Sequence, residues 1–295
     1  MTTTYEVVGK PVTRQEGPDK VLGTFLYSAD VNLPGMIWGK VLRSPFPHAK
    51  IVKIDASKAL AMPGVHAVIT GQDTLGMRIG RSVRDVPLLA EDEVRFVGER
   101  VAAVAADSPD IAEEALLLIE VEYEPLPAIF DPIEAMEPDA PLVHDGSPSF
   151  ESSSGPIQPE GNVVNHSTWS SGDMKQGFSE SDQIFEHTFT TTWVHQGYME
   201  PYACVVDIDD AERIQVWANN KVPYTLRKQL ADALGLPEEQ IRVNPCGIGG
   251  DFGGKSPAMN VPIAYFLAKS SGRPVKMIMS YIEELVAGNP RHPSF

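Results

Sequence analysis

Residues Gly249-Gly250-Asp251-Phe252-Gly253-Gly254-Lys255-Ser256 place four glycines within six positions, followed by a lysine and a serine. Backbone of that composition can turn tightly, adopt positive φ, or let a ligand approach where a Cβ would stand in the way. Two chemistries fit the spacing. Read as G-x-x-x-x-G-K-[ST], the stretch has the form of a phosphate-binding loop, with amides around phosphates and a lysine reaching them. Read simply as bare main chain, it can form a tight turn after a strand or let a ligand come close to the backbone.

The phosphate reading demands a strand before the loop, a helix directly after it, and the rest of a parallel sheet. Pro257 falls where that helix should be running, and an interior proline removes a backbone donor and clashes with the preceding turn. The next apolar strand candidate, Pro274 to Met279, ends in Ser280 and not in a magnesium-binding aspartate. Too little sequence follows Ser256 to complete such a domain. A nucleotide hydrolase is therefore the remote alternative.

Other polar residues carry weaker signals. Asn219 and Asn220 follow the apolar run Ile214 to Ala218, where an asparagine commonly satisfies turn backbone. Glu200, in His195-Gln196-Gly197-Tyr198-Met199-Glu200-Pro201, reads as a structural carboxylate in an ion pair. His48 reads as a satisfied histidine of the fold. The two cysteines, Cys204 and Cys246, form no CxxC pair, so they supply no ligand set for an iron–sulfur cluster or structural zinc.

The net charge of −16 argues against nucleic acid or an anionic membrane as partner. No apolar run approaches the roughly 18 residues that span a bilayer. The first residues lack a basic region followed by an apolar core. Together with the sparse cysteines, this predicts a cytoplasmic location.

The elements that must position these residues are legible in outline. The strand candidates of the first half are Met36 to Leu42, Ile51 to Asp55 and Val65 to Thr70. Ser57 caps a short helix that Pro63-Gly64 ends. Arg100 to Asp107 reads as a buried strand, Ser108-Pro109 as a helix start, and Ile119 to Glu124 as a strand with one face in solvent. That order predicts a βαβ unit. Residues 137–182 are rich in Pro, Ser, Gly, Asp and Glu and read as a long connection. Ile184 to Val194 reads as a strand, and Val205 to Ile208 with Ile214 to Ala218 as a hairpin around Asp209-Asp210. Leu226, Leu230 and Leu234 share one helix face, closed by Gly235. Ile241 to Val243 leads into the glycine loop, and Val261 to Lys269 reads as a helix closed by Gly272.

Several segments together resemble one family. They are Gly23 to Asp30, Arg43 to Lys50, Val97 to Val104, Val121 to Pro127, His195 to Pro201, the glycine loop, Arg273 to Lys276 and Gly288 to Pro293. In this order they resemble the large, molybdopterin-binding subunit of the xanthine dehydrogenase and aldehyde oxidase family, the molybdenum hydroxylases. The resemblance covers nearly the whole chain. It implies an α/β (α+β) fold: an N-terminal extension at 1–17, an α/β hammerhead domain at 18–130, a linker at 131–160, and an incomplete first molybdopterin-binding domain at 161–295.

The resemblance also implies a chemistry. A molybdenum–molybdopterin cofactor would hydroxylate an aldehyde or N-heteroaromatic substrate with water as oxygen source. Electrons would leave to Fe-S and FAD on partner subunits. Gly250, Asp251, Phe252, Gly253 and Gly254 match the loop beside the cofactor, with Asp251 expected to turn away and cap the loop. Asn219, or its neighbour Asn220, matches a glutamine that donates toward the metal. Phe252 is expected to face substrate. Ser256 stands where purine-oxidising members carry a substrate-orienting glutamate, which puts purine specificity in doubt. The family's general base is a glutamate close to the end of the full subunit. No residue here matches it, so the chain is expected to hold no catalytic residue or direct metal ligand and to be inactive alone. The sequence ends at Phe295 as if a truncated product or one part of a split subunit, completed by a missing molybdopterin-domain segment. The rival from another class is a non-catalytic assembly module.

Overall fold

Alanine and valine in Arg100–Ala106 mark the centre of the molecule. The computed structural model describes residues 5–144, 149–152 and 154–295. The first half contains α1 (Gly17–Leu22), β1 (Ile37–Arg43), β2 (Ala49–Asp55), α2 (Ser57–Leu60) and β3 (Val65–Thr70). Three two-residue strands follow, β4 (Arg78–Ile79), β5 (Val86–Pro87) and β6 (Glu93–Val94), then β7 (Arg100–Ala106), α3 (Pro109–Leu116) and β8 (Glu120–Pro125). The second half contains α4 (Met174–Glu180), β9 (Ala203–Ile208), β10 (Ile214–Ala218) and α5 (Pro223–Leu234). It closes with β11 (Ile241–Asn244), α6 (Val261–Ser271), β12 (Val275–Ile278) and α7 (Tyr281–Ala287).

A mixed sheet of seven strands, ordered β11-β10-β9-β12-β1-β7-β3, runs through both halves. The seam is the parallel pair β1–β12, with Ile37 opposite Val275 and Gly39 opposite Met277. In β7, Ala103 and Ala105 join the large core that contains Leu267 of α6, while Ala102, Val104 and Ala106 pack with Ala112 and Ala115 of α3. A strand covered by helices on both faces has no solvated side, so it reads as a continuous run of small apolar residues. Ser108 caps α3 by accepting from the Ile111 amide at 3.2 Å, with Pro109 at the first helical position.

The strand–helix–strand order over β7, α3 and β8 does not make a βαβ unit. β8 leaves the main sheet and pairs antiparallel with β2, in a separate sheet ordered β6-β2-β8. This pairing sets Lys50 opposite Glu124 and Lys53 opposite Glu122, and it leaves Glu120, Glu122 and Glu124 all exposed to solvent.

Ile184 to Val194 is the second departure. It forms no strand; only Thr191 and Val194 make isolated antiparallel bridges, to Ser294 and Arg291. The segment has strand-forming residues but no neighbouring strand to complete a ladder. The hairpin β9–β10 forms as expected, with Asp209 accepting from the amides of Ala211 and Arg213 at its turn. α5 buries Leu226 and Leu230 and stops at Gly235 with φ +64. α6 runs to Ser271 and stops at Gly272. The expected connection at 137–182 is irregular apart from α4 and scattered bridges. Residues 1–4 of the expected N-terminal extension, and 145–148 and 153 of the connection, lie outside the described residues.

Candidate functional site

β11 delivers the chain to the glycine loop, and α6 takes it away. A bridge between Tyr27 and Gly247 anchors the loop's entry to the first half of the chain. No helix begins at Lys255; α6 starts only at Val261. The Lys255 side chain is completely buried, and its Nζ donates to Glu200 Oε2 at 2.6 Å while lying 4.8 Å above the Tyr198 ring. Burial depresses the Lys255 pKa, and the Glu200 carboxylate opposes that effect. A phosphate-binding lysine must reach outward; this one is committed inside. The nucleotide-hydrolase alternative is therefore excluded.

The segment 195–202 forms the floor of the loop. Glu200 Oε2 accepts from the Gly249 amide at 2.6 Å as well as from Lys255. A Cβ on Gly249 would stand 2.7 Å from the Glu200 Cβ, and one on Gly250 would stand 2.9 Å from the Tyr198 Cβ. Gly250 also has φ +101, outside the range open to L-residues with side chains. The glycines here are fixed by the protein packed beneath them. The Tyr202 hydroxyl and the Asn289 side chain both donate to the Gly254 carbonyl, the latter at 3.0 Å. Gln196 donates to the Asn289 carbonyl at 2.7 Å. Glu284 of α7 accepts from the Tyr198 hydroxyl at 2.7 Å and from the Tyr202 amide, so the helix locks the floor.

The Asp251 carboxylate folds back onto its own loop. It accepts from the amides of Gly253, at 3.0 Å, and Lys255, and from Lys221 Nζ at 2.7 Å. Partial burial works against its charge, but Lys221 and the two amides prevail and hold its pKa below the usual carboxylate range. Gly254 N–H donates to the Asp251 carbonyl at 2.8 Å. Among the described residues, the amides of Gly250, Asp251 and Phe252 meet no protein acceptor. Phe252 stands at the tip with φ +45 and its side chain 68% exposed. Positive φ at a bulky residue is a strained conformation that clusters at ligand-binding positions.

Asn219 is buried; its Oδ1 accepts from the Ala203 amide at 3.1 Å and its Nδ2 donates to the Pro201 carbonyl at 2.7 Å. One Nδ2 hydrogen remains, beside a cavity of about 10 Å³, roughly the space of a single water. Asn220 ties the loop's exit, donating to the carbonyls of Ser256 and Pro257 at 3.0 Å. Ser256 is buried, and its amide donates to the Gly254 carbonyl at 3.1 Å. His48 Nδ1 lies 2.7 Å from the Pro127 carbonyl, far from this site.

Sequence reasoning missed Tyr198, Tyr202, Lys221, Lys255, Glu284 and Asn289 as builders of the site. Lys255 stood inside the motif, but only its phosphate role suggested itself. Glu284 lies in a helix whose N-cap signal was readable: Ser280 and Glu283 form a reciprocal capping box. Among the described residues, no group of three or more His, Cys, Asp or Glu could hold a metal ion.

Two family models cover the chain in the order of its two halves. Residues 22–127 match the aldehyde oxidase and xanthine dehydrogenase a/b hammerhead domain, and residues 157–295 match the molybdopterin cofactor-binding domain. The chain belongs to the xanthine dehydrogenase and aldehyde oxidase family and corresponds to part of its large, molybdopterin-binding subunit. It is 39% identical over 289 residues to a probable xanthine dehydrogenase subunit of Bacillus subtilis, covering 97% of this chain and 37% of that protein. It is 34% identical to the nicotinate dehydrogenase large molybdopterin subunit of Eubacterium barkeri, covering 98% of this chain and 65% of that one. The crystal structure of quinoline 2-oxidoreductase from Pseudomonas putida 86 superposes with a TM-score of 0.84 at 32% identity, over 96% of this chain and 36% of that one. The chain thus spans about a third to two-thirds of the length of these relatives. The expected architecture, a hammerhead domain followed by part of a molybdopterin-binding domain, is the observed one.

Proposed function

We propose that this chain supplies one wall of a molybdenum–pyranopterin site, with the amides of Gly250, Asp251 and Phe252 donating to cofactor oxygens. The observation that carries the reading is three consecutive N–H groups without a protein acceptor among the described residues, on a loop whose Gly249, Gly253, Gly254 and Lys255 amides are all used internally. Main-chain donors of this kind suit oxo and phosphate oxygens, and they add no side-chain bulk. The residues present therefore fit the cofactor. When bound, the cofactor supplies the redox chemistry that no side chain can.

The chain's own residues hold the donors in place. Lys255 and Glu200 fix the base of the loop, and Asp251 with Lys221 fixes its crown. Gly253 and Gly254 close the turn, because their amides are already used internally. Phe252 offers an exposed aromatic face to a planar substrate. Asn219 reaches the cofactor only through its remaining Nδ2 hydrogen or a water beside it. Ser256, whose carbonyl Asn220 holds at the loop's exit, is the second candidate on the substrate side.

The complete enzyme, on this reading, hydroxylates an N-heteroaromatic or aldehyde substrate with oxygen from water. The relatives named for xanthine, nicotinate and quinoline favour the heteroaromatic class. Iron–sulfur and flavin groups on partner subunits would take the electrons, since Cys204 and Cys246 are not placed as a cluster ligand set. The test is oxidation of a panel of N-heteroaromatics and aldehydes by the whole assembly in ¹⁸O-labelled water with an artificial electron acceptor. Label from water in the product is expected; label from dioxygen would overturn the reading.

A further inference from the structure

Among the described residues, Glu212, Phe252 and Met259 have positive φ although they are not glycine. Glu212 turns the β9–β10 hairpin, and Phe252 stands at the tip of the glycine loop. Met259, at φ +46, belongs to neither; it lies between the loop's exit and the start of α6. A side chain at such φ persists only where its surroundings over-determine it. At Met259 both the carbonyl and the side chain are held.

The carbonyl is held from the other half of the chain. Arg100, the first residue of β7, spreads its guanidinium over three main-chain carbonyls. Nε donates to Leu88 at 2.9 Å, Nη2 to Pro87 at 3.4 Å and Nη1 to Met259 at 3.4 Å. Burial, with the neighbouring Arg43 charge adding to it, draws the Arg100 pKa down to about 10, so the group keeps its charge at neutral pH. The guanidinium is a planar fork whose donors keep fixed directions. It therefore holds the 87–88 segment and Met259 to one another.

The Met259 side chain packs against the cluster of Tyr198, Tyr202 and Met279. These two tyrosines belong to the floor of the glycine loop. Tyr202 donates to the Gly254 carbonyl, and the Tyr198 Cβ sets how closely Gly250 approaches. Met259 also borders the small cavity beside Asn219.

We infer that Arg100 is a positioning residue for the cofactor loop: by holding the Met259 carbonyl it keeps the Met259 side chain against Tyr198 and Tyr202, and so fixes the amides of Gly250, Asp251 and Phe252. This role rests on the cofactor reading given above. It gives the hammerhead half of the chain a part in the site through one guanidinium. No covalent bond changes and no proton moves.

The test uses the whole assembly with Arg100→Met, Met259→Gly, the double variant and, as a reference, Ala115→Gly on the buried face of α3. Two quantities are read: the rate at which pterin leaves, and amide hydrogen exchange over residues 249–256. Arg100→Met should release pterin at least about threefold faster. It should also speed exchange of the Gly253, Gly254 and Lys255 amides, which are bonded within the loop. Met259→Gly should do the same. Glycine adopts positive φ unaided, so in the Met259→Gly background Arg100→Met should add little to either rate. Ala115→Gly should lower thermal stability and move neither.

An Arg100→Met assembly with wild-type pterin release and loop exchange overturns the positioning role and spares the cofactor reading. Equal effects of Arg100→Met with and without Met259→Gly, or equal effects of Ala115→Gly, reduce Arg100 to a structural residue and also overturn the role. A wild-type assembly with neither molybdenum nor pterin overturns both readings together. If Arg100→Met does not fold, Met259→Ala carries the test. It keeps the carbonyl, removes the packing against the tyrosines and should speed pterin release; release at the wild-type rate overturns the role.

Discussion

Lys255 Nζ lies 2.6 Å from Glu200 Oε2 with the lysine completely buried, and the same carboxylate oxygen accepts the Gly249 amide. This pair joins the glycine loop to the segment beneath it. It converts a flexible glycine run into a fixed one.

Removing one partner leaves the other charge buried and unpaired. Lys255→Met should therefore destabilise the chain by about 3–5 kcal/mol. The double variant Lys255→Met with Glu200→Gln should recover a large part of that loss. Urea unfolding of the four proteins of this cycle checks the coupling; additive losses would show that the pair does not hold the loop.

Asp251 gives the loop a pH dependence. Its folded pKa lies below the usual range because Lys221 and two amides outweigh the cost of partial burial. Its contribution is complete above the unfolded value of about 3.9 and is lost as pH falls through the lower folded value. Asp251→Asn should cost stability at neutral pH, and the difference from wild type should shrink on acidification below about pH 4. Urea midpoints measured from neutral pH downward test this; a gap that stays constant contradicts it.

Gly250 separates packing from backbone strain. Gly250→Ala meets both φ +101 and the Tyr198 Cβ at 2.9 Å, whereas Gly235→Ala meets positive φ with nothing within 4 Å. Gly250→Ala should cost more than about 1 kcal/mol and more than Gly235→Ala. Thermal unfolding of both variants decides it.

The thiols should be unreactive in the folded chain. Burial pushes Cys204 up to about 12, and burial with the nearby Glu200 charge pushes Cys246 up to about 11. At pH 8 only about one Cys246 in a thousand would be thiolate, and fewer Cys204. Alkylation followed by mass spectrometry should show slow labelling in the folded state and fast labelling in denaturant. Fast native labelling of Cys204 would contradict the burial.

Local signals were legible where a short stretch decides its own structure. The Ser108-Pro109 start, the Gly235 and Gly272 stops and the β9–β10 turn all depend on a few adjacent residues. Pairing across distance was not. Nothing local in Glu120–Pro125 says that its partner is β2, because that strand, Ala49–Asp55, lies far earlier in the chain. The loop's composition was readable as ligand-contacting backbone. Its clamp was not, because Glu200, Lys255 and Glu284 meet only once three segments are folded together. The strand reading of Ile184 to Val194 failed for the same reason: strand-forming residues make a strand only with a paired neighbour, and this segment makes two isolated bridges.

Molybdenum and pterin in the assembly isolated through this chain, with Gly250→Ala and Gly235→Ala beside the wild type, test the amide wall most directly. Wild type and Gly235→Ala should carry stoichiometric metal and pterin, and folded Gly250→Ala should lose much of both. A folded wild-type assembly without either, or Gly250→Ala retaining both in full, would contradict cofactor binding by this loop.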